Sequence, residues 1–224
     1  MSMKNILPSI FGICAAVGMI ATASCTCHHF DEPQVSMKIG HVLCTDGEVM
    51  PICKFLESSK EAIGIVFYVN NDPNVDGRGY AVYIHDLEPC AFSESITMTQ
   101  GTSCDIYAHD GNSNTYALFN NAEVNSPMAQ EVFELWKFGQ SAYVPSVEQQ
   151  RLLLAAKEAI NDRIEICGGD RLPDEASECW YWTATEVDGQ AEAKAWLFSL
   201  HSGAIQETSK MQVHKVRPII TIKY

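Results

Sequence analysis

The sequence predicts an α+β fold with a mainly antiparallel, twisted sheet, two helices and long irregular loops, on three observations. The elements run as strands, then helices, then strands, instead of alternating. "RLLLAAKEAINDRIEI" places apolar residues at 152, 156, 160 and 164, and Ser146 with Gln149 three residues on forms a capping-box signature ahead of it. "AIGIVFYVN" and "GYAVYIHDL" are β-branched and aromatic runs split by the turn-rich "NDPNVDGR", the pattern of a hairpin with a long loop.

The chain opens with Lys4 as the sole charge before an apolar stretch, which ends in Thr22, Ala23 and Ser24 followed by Cys25. That is the pattern of an export signal. Its ending resembles the lipobox of bacterial lipoproteins, which implies cleavage before Cys25 and lipid attachment to that residue. An ordinary secretory signal and a retained membrane helix are the alternatives, and Pro8, Gly12 and Gly18 argue against the helix. Residues 1–24 are then the signal and residues 25–37, which lack periodicity, a tether. Residues 38–224 form one domain, exported and lipid-anchored in the outer membrane, facing the periplasm or the outside.

Lys and Arg number 15 against 28 Asp and Glu, a net charge of −13. Such an acidic balance repels phosphate backbones and excludes nucleic acid as a partner. Nine cysteines in an exported chain point to an oxidising compartment. Beyond Cys14 in the signal, Cys25 and Cys27, six fall into sequence-local pairs. Cys44 with Cys53, Cys90 with Cys104 and Cys167 with Cys179 is one of fifteen connectivities.

Along the domain, "GHVLCTDGEVM" predicts two short strands about a turn at Asp46-Gly47. Residues 90–125, rich in Ser, Thr, Asn and Gly, are expected to be irregular, with a short helical piece over 115–121. Ser126-Pro127 starts a helix and Gly139 ends it, whereas the long helix after Ser146 stops at Gly168-Gly169. "CWYWTATE" and "KAWLFSL" form a hairpin about "EVDGQAEA", and "VHKVRPIITIKY" is the last strand. Trp180 and Trp182 share one strand face, Trp196 and Phe198 another, and aromatic pairs on adjacent strands make core a better account than a sugar-stacking platform.

The residues Trp180 to Glu186, Ala195-Trp196 with Phe198, Gly203, Lys210 and Val216-Arg217-Pro218-Ile219 resemble the domain family named for the C-terminal domain of the Lcl collagen-like adhesin. "IGIVFYV", "GYAVYIHDL", Asp110-Gly111 with Asn114-Thr115, and "YVPSVEQQ" agree with it, so the resemblance spans roughly residues 38–222. It implies a C-type-lectin-like fold, similar in topology to the formylglycine-generating enzymes. One departure is Tyr143-Val144-Pro145-Ser146 where the family often has Arg-Leu-Pro-Thr.

Site chemistry is sparse. Asp72, Asn74 and Asp76 alternate ahead of Gly77 like the first half of a calcium loop, but Tyr83 stands where a bidentate Glu belongs. A turn explains them equally well. Asp110, Asn112 and Asn114 offer a second polar set for a ligand. Cys25, Cys27, His28 and His29 include soft metal ligands, but on a tether and with lipid on the first. Glu88-Pro89-Cys90 cannot act as the calcium-and-sugar triplet of C-type lectins. No HExxH, GxSxG, phosphate loop or dinucleotide fingerprint occurs, so no catalytic residue is assigned. The expected function is a non-catalytic envelope module that recognises an extracellular glycan or protein, with calcium the one conceivable cofactor. The alternatives are a structural subunit of a surface assembly and an enzyme resembling the formylglycine-generating group through Cys167 and Cys179.

Overall fold

The computed structural model describes residues 36–71, 77–96, 98–138 and 141–223. In chain order the elements are β1 (Val42–Cys44), β2 (Val49–Met50), α1 (Ile52–Glu57), β3 (Ala62–Val69), β4 (Gly79–Tyr83) and β5 (Leu87–Ala91). Then come α2 (Gly111–Phe119), α3 (Pro127–Glu134) with a 3-10 turn over Leu135–Phe138, β6 (Ala142–Tyr143) and α4 (Val147–Ile166). The chain closes with β7 (Trp180–Glu186), β8 (Lys194–Ser199), β9 (Ile205–Ser209), β10 (Val213–Val216) and β11 (Ile219–Ile222). The strands form two sheets, β2-β1-β3-β4-β11-β6 and β5-β10-β7-β8-β9. The protein is thus a mixed α+β structure in which, among the described residues, the strand pairings are antiparallel except β10 with β7.

Both faces of the first sheet are covered, which is why β3 is a nearly unbroken apolar run. Val42, Ile65, Phe67, Val82 and Ile219 join Leu153, Ile160 and Ile164 of α4 in one core cluster. Leu43, Val66, Ala81 and Ile220 join Met128 and Val132 of α3, Leu118 of α2 and Trp182 of β7 in the other. The tryptophan strand lies between the same two clusters. Register pairs Tyr181 with Phe198 and Trp182 with Leu197. Trp182 therefore enters one cluster, while Tyr181, Phe198 and the partly buried Trp196 enter the other. The aromatic residues of β7 and β8 are core, as expected, but they supply two cores on opposite faces.

Four elements differ from the sequence reading. Residues 90–125 hold a helix four residues earlier at its start than expected, because α2 begins at Gly111. Only glycine fits there, since a Cβ would lie 2.5 Å from both the Val144 carbonyl and Gln149 Oε1. The short helix α1 carries no fully buried residue; its Ile52 and Phe55 pack against the first core cluster, but six residues are too few for a helical period to show in the sequence. β9 is an outer strand with two exposed positions. "VHKVRPIITIKY" is broken at Arg217-Pro218: β10 belongs to the second sheet and β11 to the first. Proline lacks the N–H a continuous ladder needs.

The helix before the second sheet is the part the sequence specified best. Ser146 Oγ accepts from the Gln149 N–H at 3.4 Å, and Gln149 Oε1 accepts from the Ser146 N–H at 3.0 Å. The same hydroxyl donates to the Ala108 carbonyl at 2.6 Å, tying the irregular segment to α4. Ser146→Ala removes both contacts and is expected to lower stability by about 1–2 kcal/mol, measured by chemical denaturation.

Candidate interaction surface

Two buried cations fix the loops that border the surface. Arg217 is 0% exposed and donates to Asp86 Oδ1 at 2.8 Å, to the Asp170 carbonyl at 2.6 Å and to the Ile84 carbonyl at 3.0 Å. Asp86 Oδ2 accepts from the Tyr181 hydroxyl at 2.9 Å. Burial, with the Asp86 carboxylate beside it, pushes the Tyr181 hydroxyl far up, so it stays a donor. Lys210, also 0% exposed, pairs with Glu186 and lies 5.2 Å from the Phe92 ring centroid. Glu186 Oε1 further accepts from the Gln100 N–H at 3.0 Å, which anchors the irregular segment to the end of β7.

With that frame set, three aromatic rings are brought together on the helical side. Phe119 at the end of α2 stacks on Phe133 of α3, with centroids 3.8 Å apart and planes 8° apart. Phe133 stacks in turn on Trp136 at 4.5 Å and 18°. Trp136 is fixed by its Nε1–H, which donates to the Ala142 carbonyl at 2.7 Å. Phe119 remains 43% exposed and Trp136 38%, with Tyr116 exposed on the same helix as Phe119. A rigid, parallel stack left in water is a surface suited to burial by a partner, since aromatic side chains give large contact area at little entropy cost. The sequence reading passed over these residues because Phe119 comes from α2 while Phe133 and Trp136, three residues apart, come from α3 and the 3-10 turn that continues it.

A second feature is a cleft of about 290 Å³ lined by Trp180, His214, Lys215, Glu178, Ser177 and Pro89. Lys215 Nζ reaches Glu178 Oε2 at 3.5 Å across it and sits 5.9 Å from the Tyr181 ring. A half-buried indole among hydrogen-bonding groups is chemistry compatible with a sugar ring. An apolar hollow of about 320 Å³ lies elsewhere, lined by Leu43, Ile63, Ile220 and Ile222 together with Asp46 and Lys223.

The sequence-derived site residues fare unevenly. Asp72, Asn74 and Asp76 lie outside the described residues, as do Cys25, Cys27, His28 and His29. Gly77, just after that loop, has φ +83°, and its carbonyl accepts from Asn70 Nδ2 at 3.0 Å, so turn geometry accounts for the glycine. Asp110, Asn112 and Asn114 are not equivalent in the structure. Asn112 is exposed on α2, while buried Asn114 donates to Asp110 Oδ1 at 3.0 Å and accepts from the Ser103 N–H at 3.0 Å. Burial pushes the Asp110 carboxyl up.

The three cysteine pairs are not formed, and all six residues are free thiols. Cys44 is buried on β1 while Cys53 is exposed on α1, and Cys179 Sγ contacts the Ala176 carbonyl and Ser199 Oγ, each at 3.1 Å. Cys167 packs instead against the cluster that contains Cys44. Burial pushes the Cys167 thiol up to about 11 and that of Cys90 up to about 12, which keeps both as unreactive thiols. Among the described residues no three His, Cys, Asp or Glu side chains cluster as a metal site requires, and no helix is long and apolar enough to cross a membrane.

His214 links the cleft to the core, with its ring edge-on to Trp182 at 5.3 Å and 89°. Burial holds its pKa below 6.5, and burial followed by the Lys38 charge does the same for His41. The unfolded chain binds these protons near 6.5 and the folded chain only at lower pH. Their contribution to stability is therefore intact above 6.5 and is lost as the pH falls through the folded values. His214→Gln is expected to flatten the acid slope of stability, read from denaturation curves on either side of pH 6.5.

No protein-family model and no curated protein matches the chain. Among solved structures it resembles a fimbrial protein from Bacteroides ovatus, with a TM-score of 0.63 at 17% identity over 83% of this chain. The chain spans about half of that protein, 49% of its length. The likeness lies in the fold: two sheets with helices against them, in an arrangement that a fimbrial protein also uses.

Proposed function

We propose that this chain is a non-catalytic structural subunit of a bacterial surface assembly, built on a C-type-lectin-like domain of the Lcl C-terminal type. In this reading it is exported and held at the outer membrane by lipid on Cys25, and it needs no cofactor. The observation that carries it is the exposed stack of Phe119, Phe133 and Trp136, a preorganised aromatic surface of the kind that protein partners bury. The fold likeness to a fimbrial protein supports a partner within a surface assembly. Phe119 forms one end of the stack, so Phe119→Asp alters the surface without entering either core. The variant is expected to fold, with a melting temperature a few degrees lower for the lost ring contact, and to lose about 2 kcal/mol of partner affinity, some thirtyfold. Co-purification of the assembly from cells carrying the variant reads this directly, and undiminished incorporation would rule out the stack as the contact.

The Trp180 cleft favours a second reading, recognition of an extracellular glycan. Selective binding of the wild-type protein on a glycan array, abolished by Trp180→Ala while incorporation into the assembly persists, would establish that reading. Running the array with and without calcium tests the loop at Asp72.

A further inference from the structure

The polar trio inside the second core cluster is a set of reactive groups as well as a structural contact. Lys210, Glu186 and Gln100 are 0%, 1% and 2% exposed, so a primary amine, a carboxyl group and a primary carboxamide share a pocket closed to solvent. Lys210 Nζ lies 3.4 Å from Gln100 Oε1 and is hydrogen-bonded to Glu186 Oε1. The carbonyl carbon of a carboxamide is about 1.2 Å from its oxygen, so Gln100 Cδ is within a small side-chain rotation of the amine. The Gln100 amide is held in place from its other side, Nε2 donating to the Val124 carbonyl at 3.4 Å, and from its backbone N–H by Glu186. Phe92 closes the pocket at 5.2 Å from the amine.

We infer that Lys210 and Gln100 condense, with Glu186 as proton carrier, into an intramolecular isopeptide bond. Glu186 takes a proton from Nζ, and the neutral amine attacks Gln100 Cδ. The C–Nζ bond forms, Glu186 passes its proton to Nε2 and takes the second proton from Nζ, and the C–Nε2 bond breaks to release ammonia, which carries that last proton away from Glu186. Amine plus primary amide gives secondary amide plus ammonia, so the step needs no oxidant or co-reactant. Effective concentration is high because the fold holds both groups together. Burial lowers the Lys210 pKa against the opposing pull of Glu186, which eases the first proton transfer. The bond would join positions 110 residues apart, fastening the irregular segment to the turn after β9, and it is independent of what the surface binds.

The test is the intact mass of the folded, full-length protein, followed by tryptic mapping after denaturation. The expected result is a mass lower by one ammonia than the same chain requires, with one branched fragment joining the peptides of Gln100 and Lys210 and no cleavage after Lys210. Lys210→Met and Glu186→Gln should each restore the unreduced mass. If a variant fails to fold, the wild-type measurement still decides. Folded wild-type protein of unreduced mass, cleaved normally after Lys210, would overturn the inference.

Discussion

The structure depends most on the burial of one guanidinium. Arg217 stands where the chain leaves the second sheet at Val216 and enters the first at Ile219, and its two terminal nitrogens donate to Asp86, Asp170 and Ile84. Those partners lie just after β4 and just after the C-terminus of α4, and the hydroxyl of Tyr181 joins Asp86 from β7. One side chain therefore fixes both sheets and the long helix relative to each other. A charge desolvated to this degree persists only with its partners in place, which makes the crossing specific as well as stable.

Around that crossing the two core clusters divide the aromatic residues. Tyr181 and Phe198 pack beneath α4, while Trp182 packs with Phe92 and the helices α2 and α3. The second sheet is thus an internal wall, and its tryptophans are mostly unavailable as a platform. What reaches the surface comes from the segments the wall supports: the short helices with their ring stack, and the single edge of Trp180 beside Lys215. Ser146, Thr115 and Glu186 hold those segments by side-chain contacts to backbone groups. An irregular surface built this way varies without disturbing the sheets.

Much of the fold was legible because its signals are local. The capping box at Ser146, the long amphipathic helix and the β-branched hairpin are each written within about 20 residues, and each appears where the pattern placed it. The site was far less legible. Asp110 and Asn114 look like ligands in a polar run, yet their hydrogen-bonding groups are engaged with each other and with Ser103. Cysteines near in sequence stand as free thiols in different surroundings, Cys44 buried on β1 and Cys53 exposed on α1.

By itself the sequence determined the capped helix, the apolar strands and the acidic balance, since periodicity, capping chemistry and net charge are properties of short segments or of composition. Only the tertiary structure decided that Trp182 and Trp196 face opposite cores, that Phe119, Phe133 and Trp136 form one stack, and that Gln100, Glu186 and Lys210 share one pocket. The physical reason is distance along the chain. Strand register and long-range closure bring those groups together, and neither leaves a mark in the residues nearby.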